Sequence, residues 1–190
     1  MGQQVTTKDG RTWFFDPAAL FLDVVYTGDL ETDDPWWEQW HTPADLDEWV
    51  AAHLDAPVRP AASIDLRRAR KLRLTLSHIV MALSRAESVA PEHYHALAQE
   101  AARPDIPPIL PAIAAPPATV AQALATIARD AVRHLAAHPE RLKVCAAHDC
   151  PLVFLDTSRA GTRTWCSMAR CGNRAKARTH RNTHAEGRPA

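Results

Sequence analysis

Four cysteines carry the most specific chemistry in this 190-residue chain. They stand at Cys145, Cys150, Cys166 and Cys171, a Cys-x4-Cys-x15-Cys-x4-Cys pattern that uses every cysteine present. Two close pairs separated by a loop let four thiolates converge tetrahedrally on one Zn2+, with Zn–S distances of about 2.3 Å. Four thiolates close the coordination shell and leave no position for water, so the predicted metal is structural rather than catalytic. His148, His180 and His184 are further residues that could replace a ligand, the last two standing four apart on one helical face. The cysteines suffice without them.

The same segment is basic. Residues 141–190 hold 10 Lys/Arg against 3 Asp/Glu, whereas residues 1–140 hold 12 against 19, so a chain of zero net charge divides into an acidic body and a basic end piece. On a helix, Arg170, Arg174, Arg178 and Arg181 fall within an arc of about 80°, with Lys176 off the stripe. With Arg163 these form the candidate nucleic-acid-binding set, because such a stripe can meet phosphates or enter a major groove. Four thiolates and one Zn2+ leave a negative site that Arg170 and Arg174 can help neutralise, and a surplus of about five positive charges remains for an anionic partner. The acidic body is one candidate for that partner, in an autoinhibited arrangement, and a finger that docks a protein is the alternative to one that binds DNA.

The elements positioning these groups are short. "RLKVC" and "PLVFLD" read as small strands, followed by the loop "TSRAGTR", then "TWC" and the basic helix. Cys166 and Cys171 would stand about 140° apart within one regular helix, so Cys166 is predicted to precede it, with Ser167 as its cap. Gly172 costs about 1 kcal/mol inside a helix, so a side chain there is expected to collide with the metal site or its supporting ribbon. Asn173 is expected to orient a ligand or loop through a hydrogen bond. A piece of about fifty residues lacks the core to stand alone, which makes zinc part of its folding free energy.

The remaining chain is predicted to be helical. Asp9-Gly10 beside "TWFF" suggests a short strand or hairpin, and Pro17 suits the first turn of a helix through "AALFLDVVYTG". Thr42-Pro43 with Asp45 starts another helix. Ala69, Leu72, Leu76, Ile79 and Leu83 mark one face of a long helix over 63–87, and a further helix starts near Pro91. The proline-rich "PDIPPILPAIAAPP" is an extended connection or edge strand, after which Val120, Leu124, Ile127, Ala131 and Leu135 mark an amphipathic helix that Pro139 stops. Trp36, Trp37, Trp40 and Trp49 suit core packing, and Arg67, Arg68, Arg70, Lys71 and Arg73 a solvated face or pairs with acids such as Asp65.

The fold class expected is therefore mainly α: a helical domain over 1–138, a small α+β treble-clef or ribbon-like zinc module over 139–184, and a disordered tail at 185–190. Asp23 breaks the most apolar stretch, and the first thirty residues hold no basic start followed by an apolar run, so neither a membrane span nor a signal peptide is predicted and a cytoplasmic location is expected. The chain carries no Gly-rich phosphate loop, nucleophile elbow or metalloprotease motif, and no enzyme is expected.

"RLKVCAAHDCPLVFLDTSRAGTRTWCSMARCGNRAKARTHRNT", from Arg141, closely resembles the CGNR zinc finger, whose name matches Cys171, Gly172, Asn173 and Arg174. The preceding chain resembles the helical ABATE domain of the same proteins: "LFLDVVYTGDL" is similar to that family's Leu-Asp-Phe-x-Asn-Thr opening, with Tyr26 where the family usually has Asn. The resemblance implies a stress-induced transcriptional regulator, with a finger that binds double-stranded DNA on a sensor domain for a small-molecule effector. With the lone acid of an apolar helix, it suggests a ligand pocket at Asp23, Thr27 and Arg70. A homodimer is among the partners expected.

Overall fold

The computed structural model describes residues 2–6, 10, 12–28, 38–108 and 116–178. The chain divides into two packed units, one spanning Ala19–Pro139 and the other joining Gly2–Ala18 to the chain from Glu140 onward.

In the first unit a short helix, α1 (Leu20–Val25), has all six residues buried and packs against α3 (Ser63–Ser84) and α5 (Val120–Ala137). A helix this short cannot hold itself in water, so its apolar surround sustains it. Its N-terminus has no side-chain cap of its own; the Phe21 amide donates instead to Asp130 Oδ2 of α5 at 3.0 Å. It begins three residues later than expected from Pro17. Ala18 adopts a left-handed φ of 69° and donates its amide to Asp16 Oδ1 at 2.8 Å, so the chain turns before the helix can start.

The other helices follow their local signals. Thr42 and Asp45 form a reciprocal capping box on α2 (Pro43–His53), and Thr119 and Gln122 do the same for α5. Asp65 accepts the Ala62 amide at 2.9 Å at the head of α3. Ala69, Leu72, Leu76 and Ile79 of α3 are buried, as are Val120, Leu124, Ile127 and Ala131 of α5, while α4 (Pro91–Ala101) packs on both helices and buries Leu97. The end of the proline-rich connection is extended: Ala118 bridges Val58 in parallel fashion, its amide donating to Pro57 O at 2.9 Å. Trp40 and Trp49 are buried edge to face at 5.6 Å, as core residues; Trp36 and Trp37 lie outside the described residues. Among the described residues no helix is long and apolar enough to cross a membrane.

The basic cluster on α3 departs from a solvated face. Arg73 is 5 % exposed, because it sits on the side of the helix that also buries Leu72 and Leu76. Its guanidinium pairs with Glu38, reaches Thr27 Oγ1 at 3.3 Å and lies 5.5 Å from the Trp40 ring centroid. Arg68 grips Glu100 of α4 through two hydrogen bonds, and Arg70 donates to the Trp40 carbonyl. The acids that pair are thus Glu38 and Glu100, distant in sequence, rather than Asp65.

Among its described residues the second unit holds two antiparallel strand pairs. In the first, β1 (Gln3–Thr6) runs against β2 (Thr12–Phe15), with Gln3 opposite Phe15. In the second, β3 (Leu142–Val144) runs against β4 (Val153–Leu155), with Leu142 opposite Leu155. The opening hairpin falls in the same packed unit as the basic piece. The Leu155 amide donates to Pro17 O at 2.9 Å, and Phe15 is fully buried. The overall class is mainly α with a small α+β piece, as predicted.

Candidate metal centre

The four cysteines are brought together by three local devices. The turn between β3 and β4 places Cys145 and Cys150: the Cys145 amide donates to Leu152 O at 2.8 Å, and the Cys150 amide closes a tight turn onto Ala147 O at 3.0 Å. The segment before the basic helix then docks on this turn, with Ala146 N donating to Thr164 O at 3.1 Å and Cys166 N reaching Cys145 Sγ at 3.4 Å. Cys166 precedes the helix as predicted, and Ser167 caps it by accepting the Arg170 amide. The helix opens with a π turn over Met168–Gly172, in which both Cys171 N and Gly172 N reach Ser167 O, and continues as α-helix over residues 173–178. The wider turn carries Cys171 to the same side as Cys166, which a regular helix containing both would not do.

The four Sγ atoms lie within 4.8 Å of one another, with Cys150 and Cys166 3.6 Å apart and Cys166 and Cys171 3.5 Å apart. A tetrahedral zinc with Zn–S bonds of about 2.3 Å requires S···S separations of about 3.8 Å, so the cluster is able to hold one zinc ion. All four side chains are buried, and none is in a disulfide. His148 is exposed and stands outside the cluster, and His180 and His184 lie outside the described residues.

The electrostatics of the bare thiols point the same way. Hydrogen bonding from Cys166 draws the Cys150 thiol well below its ordinary value. The reciprocal bond, burial and the Cys150 charge push Cys166 up, and burial raises Cys171. One thiolate therefore opposes the next in this buried site. The four cysteines would hold a zinc ion, whose positive charge would keep all four ionised.

Charged and apolar groups surround the cluster. Arg174 reaches Cys171 Sγ at 3.4 Å and Asp149 Oδ2 at 2.8 Å, and the sulfur contact raises its own pKa. Arg163 donates to the carbonyls of Trp165 and Cys166 and stacks over Phe154, 4.3 Å from the ring centroid. Arg170 stacks on Trp13. Lys176 and Arg178 are exposed, Arg178 standing 4.0 Å from Asp149, and Arg181 lies outside the described residues.

Gly172 is crowded by groups other than those expected, and Asn173 bonds to the turn beside it. A Cβ on Gly172 would stand 2.6 Å from Met168 Sδ and 3.2 Å from Trp165 Cδ1, so the nearest crowding comes from the Met168 and Trp165 side chains covering the turn rather than from the cysteines. Asn173 donates its side-chain amide to Ala169 O at 3.3 Å, within the π turn that carries Cys171.

Asp156 is the organising residue that sequence reasoning missed. It is 1 % exposed and accepts from Lys143 Nζ at 2.7 Å, Ser158 Oγ at 2.6 Å and the amides of Ser158 and Arg163 at 3.0 and 2.9 Å. Burial alone would raise its carboxyl, but these four donors hold it well below the usual carboxylate range. The signal was available in "FLDTSR", where an Asp two residues before a Ser can tie its own loop together. Arg141 completes the clasp by donating to the carbonyls of Asp156 and Ser158.

In the helical unit, Asp23 and Thr27 are both fully buried, and Thr27 Oγ1 donates to Val24 O at 2.7 Å. Arg73 reaches Thr27, while Arg70 meets Glu38 at 3.8 Å and donates to the Trp40 carbonyl. Burial pushes the Glu38 carboxyl up, and the hydrogen bonds from Arg73 and Trp40 with the nearby Arg charges more than offset this, leaving it lowered.

Residues 141–184 match the family model of the CGNR zinc finger. Residues 18–138 match ABATE, described as "Putative stress-induced transcription regulator". A comparison with curated proteins gave no match. The ABATE match begins after the opening hairpin, follows the helical unit through its last helix and takes in well over half the chain. The protein belongs to the ABATE family and carries a CGNR zinc finger after that domain.

Proposed function

We propose that this protein is a zinc-dependent transcriptional regulator whose finger contacts double-stranded DNA. The observation carrying this reading is the excess of basic residues, 10 against 3 from residue 141 onward, attached to a cysteine cluster able to hold zinc. Zinc and its thiolates absorb part of that charge, and the remainder favours an anionic partner. The family description supports a regulatory role, and neither matched family is an enzyme family.

Within the proposal the arginines divide into two groups. Arg163, Arg170 and Arg174 have internal partners and hold the helix and its ligand turn in place. Lys176 and Arg178 are exposed and are assigned to phosphate contact, together with Arg159 of the exposed loop.

Zinc-loaded full-length protein titrated onto duplex DNA at several salt concentrations tests this. Two to four phosphate contacts give a log–log salt slope of about −2 to −4, and the Lys176→Ala, Arg178→Ala double variant is expected to flatten it by roughly 2 with zinc retained. The internal engagement of Arg170 and Arg174 favours a second reading, a structural finger that docks a protein. Absence of duplex binding at low salt would select it.

A further inference from the structure

The helical unit carries a basic groove that none of the preceding roles uses. Arg68, Lys71, Leu72 and Thr75 recur at helical spacing on α3 and face Glu100 and Arg103 at the end of α4, around a cleft of about 210 Å3. We propose that this groove binds a small organic carboxylate with an apolar body.

The charges in the groove do not cancel. Three cations line it against one carboxylate: Glu100 accepts from Arg68 Nε at 3.1 Å and also meets Arg103 Nε at 3.4 Å. Lys71 is exposed and makes no ion pair among the described residues, and Arg103 is 56 % exposed in its side chain. The groove therefore holds an excess of two positive charges on a stretch of chain, residues 1–140, that carries 12 basic against 19 acidic residues. A local surplus running against the charge of its surroundings is what recognition of an anion requires.

The floor supplies the other half of the chemistry. Leu72 and the half-buried Ala96 form the apolar part of the lining, so an occupant with an apolar body lies against them while its charge meets Lys71 and Arg103 at the rim. The volume lies below the roughly 300–1,000 Å3 of sites for drug-sized molecules, which limits the ligand to a small one. Glu100 acts as an internal competitor, since an incoming carboxylate shares the guanidinium groups that Glu100 now occupies.

Isotope-labelled, zinc-loaded full-length protein titrated with benzoate, with inorganic phosphate and with neutral benzyl alcohol tests the proposal by amide chemical shift. Benzoate is expected to give saturable shifts confined to α3 and α4, with phosphate and benzyl alcohol both weaker. Lys71→Gln and Arg103→Gln, both at exposed positions, each weaken benzoate by about three- to tenfold. Glu100→Gln tightens it by removing the competitor. No saturable shift with benzoate would overturn the proposal, as would unchanged affinity in the Lys71 and Arg103 variants. Phosphate binding as tight as benzoate would overturn the organic part, because the groove would then read charge alone.

Discussion

Arg170 lays its guanidinium on the indole of Trp13, with Cζ 3.3 Å from the ring centroid. This contact ties β2, near the start of the chain, to the helix that leaves the cysteine cluster, in a unit where Leu155 also bonds to Pro17. The second unit is thus larger than the stretch matching the finger family, residues 141–184. A double-mutant cycle of Trp13→Leu and Arg170→Met is expected to give a coupling of about 1 kcal/mol in chemical denaturation, within the range for a partly desolvated cation–π pair. A coupling near zero would mean that the hairpin and the helix are energetically independent.

Asp156 is predicted to be the most sensitive non-cysteine position of the zinc-binding unit. Asp156→Asn keeps the shape but loses the charge that pairs with Lys143 and converts an acceptor facing donors into a donor, at a cost of about 1–3 kcal/mol. Because the folded carboxyl titrates below its unfolded value, its contribution is complete above the unfolded pKa of about 3.9 and is lost as pH falls through the folded one. The difference in denaturation midpoint between parent and variant should be full at neutral pH and shrink below about pH 4. A difference that persists unchanged into strong acid would remove the charge from the explanation.

In the helical unit, Arg73→Ala should cost about 3 kcal/mol, because it removes the main partner of a Glu38 carboxylate whose side chain is 12 % exposed and leaves it Arg70 at 3.8 Å. Adding Glu38→Gln should recover part of the loss. Glu38 is depressed in the fold, so the pair's contribution is present above the unfolded Glu value of about 4.3 and fades as pH drops below it. Lys71→Ala, on an exposed turn of the same helix, should stay within about 0.5 kcal/mol. Equal effects of the two substitutions in thermal melts would contradict the assignment.

Local rules made much of this legible from sequence. The Thr42–Asp45 capping box, the apolar faces of α3 and α5, the spacing of the cysteines and the placing of Cys166 before Ser167 depend on residues a few positions apart. What escaped depends on distant partners. Nothing near Arg73 distinguishes it from Arg70, because the discriminating groups are Thr27 and Glu38, brought in by other parts of the fold. Pro17 looked like a helix start because the Asp16–Ala18 turn that delays α1 leaves only a weak sequence mark. The hairpin's ties to Arg170 and Leu155 span most of the chain. Gly172 signalled crowding correctly but not its source, since the side chains of Met168 and Trp165 fold over the turn.

The central claim is that one zinc, held by Cys145, Cys150, Cys166 and Cys171, maintains the fold of the second unit. Native mass spectrometry of the full chain purified without chelator, paired with amide hydrogen exchange before and after zinc removal, tests it directly. The account predicts one zinc per chain, lost in Cys171→Ser under mild chelation, with protection collapsing around β3, β4 and residues 168–178 while α3 and α5 stay protected. A chain carrying well under one zinc, with those same amides still protected, would contradict it.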